Sequence, residues 1–190
     1  MTKVIEKNDI RGRRRQAILT AAAEEFWQSG FEHARMDAIA ARAGIGKSTI
    51  YEYFSSKTAL LSAVGEQMAG RAAEEIDRIL NSDQPFRSKM VSYMRFLTSL
   101  LAQMGQKLLG LFQENQSMAL LDKMAQRYAA EEYAALVSAV VRAQEAGELR
   151  ADLDPAVAAT LLASIPAPMF KSHDVPVEEV VDLLLKGMGA

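Results

Sequence analysis

Ala43-Gly44-Ile45-Gly46-Lys47-Ser48-Thr49-Ile50-Tyr51-Glu52-Tyr53-Phe54 decides the fold. Its first part, Gly44-Ile45-Gly46, has the composition of a tight turn. The spacing then predicts a short helix from Lys47 to Phe54, with Ile50 and Phe54 four apart and facing inward. Lys47, Ser48, Thr49, Tyr51 and Tyr53 are left largely outward. The segment before the turn, Met36 to Ala43, reads as a second short helix, with Ile39 and Ala43 inward and Gly44 as its left-handed stop. Two short helices joined by a glycine turn, the second with a polar and aromatic outer face, form a helix-turn-helix pattern.

Outward from this stretch the chain continues in helices. Upstream, Ile18, Ala22 and Phe26 recur every four residues, with Leu19 and Ala23 beside them, and predict a helix from Arg13 to Ser29 that stops at Gly30. Downstream, Lys57 to Leu80 carries a buried stripe of Leu60, Leu61, Val64, Met68, Ala72, Ile76 and Leu80. A helix from Phe86 to Met104, a short piece from Lys107 to Glu114 and a long helix from Ser117 to Ala146 follow. Asp154 before Pro155 is a clean start for a helix over 155–171. Pro166 and Pro168 should kink or end it. Pro176 opens the last helix, 176–187. The 31 Ala and 20 Leu favour helix, all five prolines fall after residue 84, and no β-branched run alternates. The expectation is an all-α chain of about nine helices. Residues 1–57 form a basic tail and helix-turn-helix domain, and residues 58–190 a second helical domain.

The formal charge of −2 conceals an asymmetry. Residues 1–57 hold ten Lys and Arg against seven Asp and Glu, whereas residues 58–190 hold twelve against seventeen. A basic end on an acidic body suits either an anionic partner or a solvated tail. With no cysteine there is no disulfide scaffold, thiolate metal site or cysteine nucleophile. His33 and His173 are far apart, and no phosphate-binding or dinucleotide glycine motif occurs, so no catalytic residue, metal ligand or cofactor is expected. Neither a run of about 18 apolar residues nor an apolar leader at Met1–Asp9 is present, so the expected location is the cytoplasm.

The helix starting at Lys47 has the chemistry of a DNA reader. A helix fits the major groove, Lys47 can donate to guanine acceptors, Ser48 and Thr49 can bond donors or acceptors, and the Thr49 methyl can touch a thymine methyl. Tyr51 and Tyr53 offer hydroxyls, and Lys57 can pair with a phosphate. The stretch Arg14-Arg15-Gln16-Ala17-Ile18-Leu19, Ala22, Phe26, Gly30-Phe31, Ile39-Ala40, Ala43 to Phe54, Ser56-Lys57 and Leu60-Leu61 resembles the DNA-binding domain of the TetR family of transcriptional regulators. The resemblance covers about residues 11–63 without gaps.

It implies a homodimer that binds a near-palindromic operator in double-stranded DNA through two copies of this helix. It also implies a C-terminal domain that dimerises and responds to a small molecule. By position, the resemblance implies that Lys47, Ser48, Thr49 and Tyr51 match recognition-helix contacts and that Tyr53 and Lys57 match phosphate contacts. Two departures stand out. The family's capping Ser or Thr before the first short helix is replaced by His33-Ala34-Arg35, where Arg35 can supply a phosphate contact by charge. Gly46 replaces the usual Ser before the second.

The rest of the chain speaks less clearly. The last two helices are apolar enough to need a partner, and the resemblance implies that they form the homodimer interface. Met90, Tyr93, Met94, Leu97, Phe112, Met118 and Tyr128 can line an adaptable pocket for an apolar or amphipathic effector, or can be ordinary core. The expected function is a DNA-binding regulator, a repressor released by its ligand. The alternatives are a helical interaction or sensor module without specific DNA binding, and an activator of the same type.

Overall fold

The computed structural model describes residues 2–112, 118–164 and 176–188, with the side chains of 2–9, 101 and 103–127 left aside. Every secondary-structure element among the described residues is a helix. There are eight among the described residues: α1 (Thr2–His33), α2 (Met36–Arg42), α3 (Lys47–Tyr53), α4 (Lys57–Leu80), α5 (Phe86–Phe112), α6 (Met118–Glu145), α7 (Pro155–Ala163) and α8 (Val177–Met188). The chain forms two compact units, residues 1–69 with 107–121, and residues 70–106 with 122–190.

Three boundaries differ from the expectation. The helix expected to start at Arg13 begins at Thr2, since only Gly12 interrupts the helix-forming sequence there and a lone glycine weakens a helix by about 1 kcal/mol without ending it. The short piece expected from Lys107 continues α5 without a break through Phe112. No proline separates the two. The helix expected over 155–171 ends at Ala163, with Ser164 as its C-cap. Pro166 and Pro168 lie outside the described residues, as does Glu114.

In the first unit, α1 contributes Ile18, Leu19, Ala22 and Phe26 to a core completed by Ile39, Ala40, Ile50, Phe54, Leu60, Leu61 and Val64. Ala43, expected inward, only flanks this core. Arg42 reaches from α2 to Glu24, Glu25 and Gln28 of α1, at 3.2, 3.3 and 2.9 Å. Glu25 is a buried charged residue, and this pairing compensates its lost hydration.

In the second unit, Phe86, Met90, Tyr93 and Met94 of α5 meet Leu136, Ala139, Val140 and Ala143 of α6, with Ala158, Ala159, Leu162, Val181 and Met188 closing the core. Asp154 caps α7 as expected, its carboxylate accepting from the N–H groups of Ala156 and Val157 at 2.8 and 3.3 Å. Arg87 forks Asp182 at 2.6 and 2.9 Å, and Arg95 pairs with Glu178, so α8 is tied to α5 by charge as well as apolar burial.

Candidate nucleic-acid interface

The turn between α2 and α3 owes its geometry to Gly44. Its φ of +69° is open to glycine at little cost. With this residue left-handed, the Gly44 N–H donates to the Ala41 carbonyl at 3.1 Å and the Ile45 N–H to the Ala40 carbonyl at 3.0 Å. That pair of bonds satisfies the last carbonyls of α2 and turns the chain sharply. Gly46 then serves as the N-cap of α3 without a side-chain bond, its carbonyl accepting from the Thr49 and Ile50 N–H groups.

Ile50 is fully buried and Phe54 nearly so, which sets the rotation of α3. The opposite face then presents Lys47, Ser48, Tyr51 and Glu52 to solvent, while Thr49 and Tyr53 are half-buried. Tyr51 keeps 47% of its surface exposed, unusual for a large aromatic side chain. Seven residues make α3 about 10 Å long, against a major groove about 12 Å wide.

Arg35, the N-cap residue of α2, gives that helix no side-chain cap. Its guanidinium forks Asp37, at 3.1 Å from Nε and 2.8 Å from the terminal nitrogen. Asp37 in turn accepts from the Ala38 N–H at 3.0 Å. A carboxylate inside the first turn thus does part of the work of the missing hydroxyl and favours the helix dipole. The bonded Arg35 guanidinium, aided by the charge of Lys47, holds the Asp37 carboxyl below its ordinary range. Arg35 nevertheless keeps 75% of its side chain exposed.

Lys57 has a structural task. Its ammonium donates to the Glu32 and Ala34 carbonyls at 2.9 and 3.1 Å and lies 4.6 Å from the Phe31 ring centroid. It thereby ties the start of α4 to the chain between α1 and α2. Two further stacks were not read from the sequence. Arg11 lies over the Tyr53 ring at 5.8 Å and Arg15 over the Phe54 ring at 5.5 Å. The i, i+4 spacing of the two arginines was visible, but not which rings they would meet.

Of the expected pocket residues, Met90, Tyr93 and Met94 are buried core, Leu97 flanks that core, and Tyr128 is half-buried. The side chains of Phe112 and Met118 lie outside the described residues. The Tyr93 hydroxyl donates to Glu132 at 2.5 Å, and burial together with that carboxylate pushes the phenol well above its ordinary value. Among the described residues no cluster of His, Cys, Asp and Glu is disposed to hold a metal ion. No described helix is long and apolar enough to cross a membrane.

Residues 18–64 match the family described as bacterial regulatory proteins, tetR family. The chain is 35% identical to the HTH-type transcriptional regulator YvdT of Bacillus subtilis (strain 168) over 71 residues, 37% of either protein. The match thus spans little more than a third of that relative's length. A longer alignment joins it to the regulator YdeS of the same organism, at 28% identity over 91% of this chain and 84% of YdeS. The fold also matches the crystal structure of reduced NemR from E. coli, with a TM-score of 0.69 and 20% identity over 93% of this chain and 98% of NemR.

Proposed function

We propose that this chain, a TetR-family transcriptional regulator by its residues 18–64, acts as a homodimeric repressor of a near-palindromic operator. One observation carries the reading: with Ile50 and Phe54 buried, α3 has a solvent-facing row of Lys47, Ser48 and Tyr51 whose donors, acceptors and aromatic edge suit a major groove. Thr49 and Tyr53 flank that row, and Arg35 and Lys57 stand beside it as phosphate partners. For Lys57, the donor left over from its two carbonyl bonds would serve that purpose.

Two copies of α3 must stand about 34–36 Å apart to enter successive major grooves on one side of the duplex. Exposed Val157 and Leu161, four apart on α7, and Leu183 on α8, which leaves 70% of its surface open, support dimerisation through these last two helices. In this division of labour residues 1–57 read DNA and residues 58–190 sense and dimerise. An apolar or amphipathic effector in the second region, bordered by Leu97 and Tyr128, would favour a conformer with a different α3 spacing. About 2.7 kcal/mol of coupling through α4 changes operator affinity a hundredfold. Repression takes place in the cytoplasm, where the operator is.

Lys47→Ala and Tyr51→Ala test the reading. Both side chains are exposed, so each variant should fold and dimerise normally yet lose specific operator binding in an anisotropy titration. Full operator affinity in both variants, or loss of the dimer, would overturn the assignment.

A further inference from the structure

We propose that the N-terminal half of α1, upstream of the family-matched segment, is a second DNA contact in which Arg11 and Arg15 are held against the phosphate backbone by α3. The inference rests on the reading of α3 as the groove-entering helix. α1 runs helically from Thr2, sixteen residues before the matched segment begins at Ile18. Six of the first fifteen residues are basic and two acidic. Arg11, Arg14 and Arg15 are exposed, so this charge faces solvent.

The two stacks give that charge a fixed position. Arg11 rests on Tyr53 and Arg15 on Phe54, the last residue of α3 and its C-cap. Each guanidinium lies within cation–π range of its ring, and its exposed N–H donors can meet a phosphate. The aromatic ring also restricts the side chain beforehand, which lowers the entropy lost on binding. The two arginines thus sit at the C-terminal end of α3, where their long side chains can reach the backbone that flanks the groove. Phe54 is itself core, so the platform under Arg15 is rigid. Backbone contacts of this kind set affinity and register and carry no base preference.

The test is the salt dependence of binding to a duplex that the wild-type chain selects. Four phosphates, two per protomer, contribute about 3.6 to the slope of log affinity against log salt. The Arg11→Ala/Arg15→Ala variant should lose that much slope while its preference for the selected duplex over a random one stays within about threefold. Arg11→Lys/Arg15→Lys keeps the charge and should retain most of the slope with weaker binding. Circular dichroism checks the fold. If the double alanine variant is misfolded, Arg11→Ala alone should lower the slope by about 1.8. An unchanged slope in a folded variant would overturn this inference and leave the reading of α3 intact. Failure of the wild-type chain to prefer any duplex would instead remove the reading on which it rests.

Discussion

Asp37 shows how a single side chain can serve folding at a cost to binding. It bonds Arg35 and the Ala38 N–H and lies in the field of Lys47. It thus supports the start of α2 while offsetting two cations assigned to DNA. Asp37→Asn should bind DNA several-fold more tightly at low salt, and unchanged anisotropy titrations would contradict this. The carboxyl is held below its ordinary value of 3.8, so the stability it lends is complete above that pH and is lost as pH falls further. The variant should lack this acid-side loss in thermal melts. Gly46 is the complementary case. Its φ and ψ of −70° and 153° suit any residue, and an added Cβ would come no closer than 3.8 Å to the Thr49 hydroxyl. Gly46→Ser should therefore cap α3 and stabilise the chain by about 0.5–1 kcal/mol, seen as a melting point roughly 2 °C higher. The sequence exposed the missing caps at Arg35 and Gly46 directly. It gave a weaker sign of the remedy, since Asp37 was an ordinary acidic residue in a first turn until its fork to Arg35 was known.

Among the elements, those with punctuation at their ends were legible before any coordinates. Gly44 ends α2, Lys47 opens α3 and Asp154-Pro155 opens α7, each where the local chemistry placed it. Elements without punctuation differ from the expectation. α1 begins before Arg13 and α5 runs on because glycines such as Gly12 lower helix stability without dictating a stop, whereas Gly30, at φ +77°, breaks α1 at the expected place. Gly12 is such a position, helical and with open space around any added Cβ. Gly12→Ala should raise the helix content measured by circular dichroism, and a loss of helicity would contradict a continuous α1. Between α5 and α6, the pattern of Met90, Tyr93 and Met94 could not separate core from pocket, since both require apolar side chains at helical spacing. All three are buried in one cluster with Leu136 and Val140. The Tyr93–Glu132 bond is a long-range pairing that no periodicity encodes. Its consequence is alkaline: a free phenol ionises near 10.0, whereas buried Tyr93 stays protonated to higher pH, so stability falls as pH rises above that value. Tyr93→Phe should flatten the alkaline limb of the stability curve, measured by denaturant titration from pH 8 to 11.

For the whole molecule, the charge asymmetry and the exposed apolar residues are complementary. The basic excess lies in residues 1–57, and exposed Val157, Leu161 and Leu183 lie on α7 and α8. The account assigns the first to DNA and the second to a second copy of the chain. Leu161→Glu with Leu183→Glu should yield a folded monomer by sedimentation velocity, with operator affinity reduced far more than the affinity for random duplex. A variant that remains dimeric would move the interface elsewhere. The central claim, a dimeric reader of sequence, is tested most directly by selecting random duplexes with the purified chain at near-physiological salt and sequencing the bound fraction. The account predicts an enriched palindrome with half-sites centred about one helical turn apart. A folded, dimeric protein that enriches no sequence would contradict it.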